Sequence, residues 1–222
     1  MFNKLRSKYD MQIEVWSDVM CPFCYIGKRR LEQALEQLAP KEVEITWKSF
    51  LLNPELETDP EKSVLDYLAE NKGITKEAVR EMCAQTEAMA GEVGLNYTLE
   101  KTVVANSLKA HRFLHFAKHA GKQQVAKERL FAAHFEENKN VDDNDVLLEI
   151  AHAVGLDPTR TLKILNSREF EEGFKYDIYE AHQLGVKGVP FFVFNNKYGI
   201  SGAQPAEVFT TTLQKVMSEE QA

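Results

Sequence analysis

Ser17-Asp18-Val19-Met20-Cys21-Pro22-Phe23-Cys24-Tyr25-Ile26-Gly27 is where a strand pattern gives way to a helical one. On its N-terminal side, Gln12 to Asp18 alternates, with Ile13, Val15 and Ser17 set against Gln12, Glu14 and Trp16, the period of a strand. On its C-terminal side, Gly27, Leu31, Ala34, Leu35 and Leu38 recur at spacings of three and four, the period of an amphipathic helix, and Pro40 closes it. A Cys-x-x-Cys pair thus falls at a strand-to-helix junction. Two thiols three residues apart in a first helical turn can close a disulfide, and the unpaired N–H groups of a helix start favour a thiolate there. Pro22 suits the first helical position, where its missing N–H is not needed and its φ is already set. Cys21 is therefore read as the attacking thiol, with a pKa anywhere from roughly 3.5 to 7.5. Cys24, one turn further in on the same face and less exposed, is read as the resolving thiol.

The bland reading of Cys-x-x-Cys is half a zinc site. Zinc takes four ligands, and Cys83 and the histidines offer no second pair at a matching spacing, so no metal is expected. Three cysteines, Cys21, Cys24 and Cys83, are too few for a structural disulfide framework in 222 residues. Cys83 reads as a small buried core residue. His111, His115 and His119 share a helical face. They lack a His-Glu-x-x-His pattern, and the neighbouring Phe113, Phe116 and Lys118 suggest an ordinary packed or solvated helix.

Composition narrows the class further. With 44% hydrophobic and 27% charged residues the chain can build an ordinary core. A net charge of -7 argues against nucleic-acid binding, which needs a concentrated basic surface. No apolar run is long enough to span a membrane. The first ten residues are basic and lack the apolar stretch of a secretory signal, so a cytoplasmic location is expected.

The rest of the chain follows the same two periods. Val43 to Phe50 alternates as a second strand, so the start reads β-α-β with a parallel pair. From about Glu61 to about Glu180 the pattern is almost wholly helical, interrupted at Gly73, 91–96, Gly121, 138–145 and 155–158. Asp142 to Asp145 and Asp157-Pro158 supply helix N-caps. Strand signals return at Pro190 to Phe194 and, after an Asn195-Asn196 turn, at Lys197 to Ser201, followed by a last helix from Gln204-Pro205 to about Met217. The order is that of an α/β thioredoxin-like fold split by a large all-helical insertion. Residues 11–54 and 180–222 would form the discontinuous thioredoxin-like domain and 55–179 the inserted helical domain.

Several blocks in this order resemble the FrnE-type branch of the DsbA-like disulfide oxidoreductases. They are Ser17-Asp18, Cys21 to Gly27, Phe50-Leu51-Leu52-Asn53-Pro54, Asn106 with Ala110-His111-Arg112, and Gly185-Val186-Lys187-Gly188-Val189-Pro190-Phe191-Phe192-Val193. The resemblance implies a cis proline at Pro190, opening the strand that faces the cysteines, with Val189 offering its backbone to an extended substrate by β-type pairing. Phe23, Val189 and Pro190 are the candidate substrate-binding residues, and Asn106 and His111 are possible cleft walls. Pro22-Phe23 lacks the cationic or hydrogen-bonding residue found between the cysteines of strongly oxidising relatives. A milder poise is expected, within roughly -270 to -120 mV. Relatives of this fold often carry a buried acid six positions before the first cysteine; here that position is Val15. Asp18 reads as a cap of the turn, which leaves the proton acceptor for Cys24 without a candidate.

The expected activity is thiol–disulfide exchange or isomerisation on a protein or small-molecule substrate. No bound cofactor is needed, and glutathione is a possible recycling thiol. A glutathione-dependent isomerase or transferase of the kappa-class or chromene-carboxylate isomerase type is the main alternative. Those enzymes place a serine where Cys21 stands, so the intact pair counts against them. A noncatalytic, chaperone-like binding module is the third reading.

Overall fold

The computed structural model describes residues 11–40 and 42–220. The N-terminal stretch read above for a secretory signal lies outside the described residues. Among those residues, no helix is long and apolar enough to cross a membrane.

Strand β1 (Met11–Ser17) leads through a tight turn into α1 (Pro22–Leu38), and β2 (Val43–Ser49) returns parallel to β1, with Val15 opposite Trp47. β3 (Phe191–Phe194) pairs antiparallel with the other edge of β1, with Val15 opposite Phe192, and β4 (Tyr198–Ser201) completes the order β2-β1-β3-β4. Asn195 and Asn196 both have positive φ (46° and 53°), the two-residue turn that matches the twist of a hairpin. One sheet face is covered by α1 and the last helix, numbered α9 below. There Ile13, Val15, Phe192 and Phe194 bury against Leu31, Ala34, Phe209 and Leu213.

Between β2 and β3 lie seven helices: α2 (Val64–Lys72), α3 (Lys76–Gly91), α4 (Leu108–His119), α5 (Gln123–Phe135), α6 (Asn144–Ala153), α7 (Pro158–Leu165) and α8 (Glu171–Gln183). After β4, α9 (Ala206–Glu220) ends the described chain. The expected caps form: Asp143 accepts from the Asp145 N–H and Asp157 from the Arg160 N–H. The helical reading needs two corrections. Residues 97–107, beyond the expected break at 91–96, are also largely irregular, with only a 3-10 turn at Leu99–Lys101, because the Thr98 N–H bonds the Phe135 carbonyl and Val104 pairs with Asp59. A second break at 166–170 separates α7 from α8, where Phe170 takes a left-handed conformation (φ 65°).

α8 runs unbroken from Glu171 to Gln183 and covers the other sheet face, where Ala181 packs near Trp16 and Phe50. α5 lies along the outer edge of β2. Gln123 accepts from the Trp47 N–H (3.1 Å) and donates to the Trp47 carbonyl (2.9 Å), closing that strand edge. One turn on, Glu128 is held by Lys28, Arg29 and the Tyr25 hydroxyl of α1, and Phe131 stacks on Tyr25 at 4.9 Å. These contacts fix α5 against the first turns of α1, directly behind the two cysteines.

Candidate active site

Cys21 is the N-cap of α1 and Pro22 its first residue, as the local sequence dictates. The turn before it is closed by the Cys21 N–H to the Asp18 carbonyl (3.3 Å), and the Tyr97 hydroxyl donates to the Pro22 carbonyl (2.9 Å). Cys24 follows in the first helical turn, fully buried, in one apolar cluster with Cys21, Tyr25, Phe131 and Cys83. All three cysteines are free thiols.

The Val189–Pro190 bond is cis. The Val189 carbonyl accepts from the Cys21 thiol at 3.5 Å, and among the described residues no hydrogen bond uses the Val189 N–H. Gly27 explains how the strand comes so close: a Cβ there would lie 3.0 Å from Pro190 Cγ and 3.1 Å from Phe192 Cζ. Any larger residue on that turn of α1 would push Pro190 away from the cysteines.

Cys21, Phe23 and Val189 line a cleft of about 570 Å³. Tyr67 and Cys83, from the inserted helices, line it as well. Phe23 is 39% exposed, a large apolar side chain at the opening. Cys83 is therefore both a core residue, as read from sequence, and part of the cleft wall. Asn106 and His111 do not line this cleft. Asn106 donates to the Leu56 carbonyl (2.6 Å) and accepts from the Leu108 N–H (2.7 Å), so it ties a loop to the start of α4.

His111 belongs to a buried polar chain that sequence reasoning did not assemble. Asp18, 1% exposed, accepts from the N–H groups of Leu52 (2.8 Å) and Met20 (3.2 Å) and lies 3.3 Å from His111 Nε2. His111 Nδ1 meets the Ser49 hydroxyl at 2.9 Å, and that hydroxyl meets His115 Nε2 at 3.2 Å. His115 Nε2 reaches Asp177 Oδ2 (3.0 Å), whose carboxylate also faces Lys48 (3.6 Å). Gly173 makes room on α8, since a Cβ there would sit 2.7 Å from His115 Nδ1. Asp18 does cap its turn, but it also anchors a polar path running from beneath Cys21 to the salt bridges of Lys48. His119 stands apart, packed against Phe170.

Burial alone would raise Asp18; the hydrogen bond and charge of His111 and the Leu52 N–H more than offset it and hold the carboxyl below its ordinary range. Burial lowers His111 despite Asp18. Near neutral pH the pair is therefore a carboxylate and a neutral imidazole that donates Nε2–H to it. Cys21 departs upward from the lowered range expected of a thiol at a helix start. The hydrogen bond with Cys24, then burial, then the charges of Cys24 and Asp18 push Cys21 well up, while the Cys24 N–H opposes them. The first proton of such a dithiol leaves a thiolate shared with the second S–H; the second must come off beside an existing charge.

His134 sits in the cleft wall, 2% exposed, with Nδ1 unpartnered among the described residues. Burial pushes it down to about 4 from the ordinary value of about 6.5. The unfolded chain therefore binds a proton that the folded one refuses, and folding weakens as pH falls from about 6.5 towards 4. Urea unfolding at pH 7 and pH 4.5 should differ by about 2 kcal/mol from this group, with His111 adding in the same direction. His134→Phe should shrink the difference by a similar amount. An unchanged pH dependence in that variant would contradict the assignment.

A four-stranded sheet whose first helix opens on Cys-x-x-Cys against a cis X-Pro bond, with helices inserted before the hairpin, defines a thioredoxin-fold protein of the DsbA type. Residues 12–214 match the DSBA-like thioredoxin domain, and the chain belongs to that family. A probable DsbA oxidoreductase from Streptomyces coelicolor is 35% identical and superposes with a TM-score of 0.89, covering 94% of this chain and 91% of that one. The uncharacterized protein YwbO of Bacillus subtilis is 29% identical over 212 residues, 95% of this chain and 98% of its own. The cytosolic disulfide reductase DsbM from Pseudomonas aeruginosa, in a structure with GSH, shares the fold at 15% identity and a TM-score of 0.67, over 93% of this chain and 99% of that one.

Proposed function

We propose that this protein is a dithiol–disulfide oxidoreductase in which Cys21 and Cys24 cycle between two thiols and one disulfide. The Cys21 thiolate attacks one sulfur of a substrate disulfide; the substrate S–S bond breaks, and half of the substrate leaves as a thiolate that takes up a proton. Cys24 then attacks Cys21 Sγ, expelling the other half as a second thiol. Two electrons pass from the protein to the substrate, and the reverse sequence oxidises a dithiol. The observation that carries this reading is the placing of Cys21 at the open end of α1 on the cleft wall, 3.5 Å from the Val189 carbonyl, with Cys24 buried behind it.

The substrate would lie between Phe23 and the Val189–Pro190 edge, under the inserted helical domain of residues 55–179. The cleft is largely apolar there, which suits the body of a small thiol compound or an extended loop carrying a cystine. Glutathione is the proposed recycling thiol in a cytoplasmic setting; the GSH-bound relative of the same fold supports this. A thiol at position 21, where the isomerases of this fold place a serine, counts against the glutathione-dependent isomerase reading.

Equilibration in glutathione redox buffers tests the proposal. Cys21 and Cys24 should convert together in a single two-electron transition, with a potential between about -270 and -120 mV. Failure to form the intramolecular disulfide at any ratio, with only glutathione adducts on Cys21, would count against it.

A further inference from the structure

Lys127 is the least expected side chain near the cysteines. It is 1% exposed on α5, and among the described residues its ammonium makes no hydrogen bond or ion pair. It rests instead on aromatic faces, 4.5 Å from the centroid of Phe131 and 5.4 Å from that of Trp47. An ammonium removed from water without a counter-ion is strongly penalised, and a lysine held there without a task is rare.

Its position is tightly fixed. Gln123, one turn before it, is clamped to the Trp47 backbone, and Glu128, beside it, is clamped to α1. Phe131, one turn after it, stacks on Tyr25, the residue next to Cys24, and shares one apolar cluster with Cys21 and Cys24. The sheet offers no alternative base at this level, for Ile13 and Val15 are apolar, and Val15 stands across the ladder from Trp47. The titratable groups whose charges act on Lys127 are Cys24 and Cys21 at the start of α1, Asp18 from the preceding turn and His111 from α4.

We propose that Lys127 takes the proton from Cys24 when Cys24 attacks the disulfide between Cys21 and substrate. This rests on the dithiol reading above. The step balances as follows. The Cys24 S–H proton passes through one bridging water to the neutral Lys127 amine, and the Cys24 thiolate forms a bond to Cys21 Sγ. The bond from Cys21 Sγ to the substrate sulfur breaks, and the proton on Lys127 passes to the departing thiolate or, where that thiolate is as weakly basic as a nitroaryl one, to solvent, returning Lys127 to its amine. A buried amine suits this task because burial favours its neutral form: burial lowers Lys127 to about 8, against the pull of Cys24, Asp18 and Cys21. Its charge would also be tied to the redox state, since closing the disulfide removes the thiolates that favour the ammonium.

The test uses a symmetrical nitroaryl disulfide whose thiolate product is coloured, mixed with the reduced protein in a stopped flow. Attack by Cys21 releases one coloured thiolate and resolution by Cys24 a second. Lys127→Met should slow the second phase by a factor on the order of 10² at pH 7 and leave the first within a few-fold. The wild-type second phase should rise with pH through an inflexion near 8, which Lys127→Met should displace upward. Lys127→Arg keeps the cation but cannot give up its proton, so it should share the loss. A second phase with wild-type rate and pH profile in either variant would overturn the proposal. A wild-type protein with no second phase would instead sink the dithiol reading itself. Should Lys127→Met fail to fold, NMR titration of the Lys127 Cε decides on the wild-type chain. The midpoint is expected to fall on oxidation from dithiol to disulfide, and equal midpoints in the two forms would overturn the proposal.

Discussion

Cys24→Ser is expected to trap the protein on its substrate, while Cys21→Ser should abolish exchange altogether. In the first variant, Cys21 still stands at the start of α1 and on the cleft wall, so the attack on a disulfide proceeds. What is lost is the buried sulfur that expels the second half of the substrate. A stable adduct on Cys21 should accumulate stoichiometrically. In the second variant nothing at the helix N-terminus carries a nucleophilic sulfur, since Cys24 is fully buried behind the position. The exchange rate should fall by roughly three orders of magnitude or more, the scale seen when an enzyme loses its nucleophile. Mass spectrometry of each variant after exposure to oxidised glutathione reads both outcomes. Adducts of equal yield in the two variants would mean that Cys21 has no special reactivity.

The second large effect concerns Asp18. Its carboxylate is buried and accepts from Leu52, Met20 and His111, so Asp18→Leu leaves two backbone N–H groups and an imidazole without their acceptor. Breaking a buried polar pair by deleting one partner costs about 3–5 kcal/mol, and for a chain of this size that lowers the melting temperature on the order of 10 °C. Asp18→Asn is the informative comparison. The amide oxygen still accepts a hydrogen bond, but the negative charge that opposes thiolate formation at Cys21 is gone. Alkylation of Cys21 should then reach half its maximal rate at a lower pH than in the wild type. A midpoint that stays or rises would show that Asp18 does not act on the thiol. The stability Asp18 itself brings follows from its lowered pKa. It is fully present above the unfolded value of about 4 and is lost as pH falls through the folded one.

The parts of this molecule that were legible in its sequence are those written locally. The change from strand to helical period at Cys21, the proline at the first helical position, the Asn195-Asn196 turn and the aspartate caps each depend on a few consecutive residues. The cis Val189–Pro190 bond was legible only through the family resemblance, since its local residues do not dictate it. The irregular stretch 97–107 was not legible, because the Phe135 and Asp59 contacts that draw it away from a helix come from remote positions.

The polar half of the site was hidden for the same reason. Asp18, Ser49, the α4 pair His111 and His115, and Asp177 come from four separate segments, and the spacing between those segments carries no sign that they touch. Lys127 was the hardest to see. On an isolated helix a lysine beside Glu128 and Arg129 reads as a solvated face. Only the docking of α5 on Trp47 and Tyr25 turns it inward. Sequence therefore located the thiols, whereas the buried polar and charged groups around them emerge from packing.

The most direct test of the dithiol account is a map of the three cysteines after one turnover. Reduced protein is mixed with one equivalent of a disulfide substrate, quenched by alkylation and digested. The account predicts a Cys21–Cys24 disulfide, two equivalents of substrate thiol and an alkylated Cys83. A free, alkylated Cys21, or a disulfide joining Cys21 to Cys83, would contradict it.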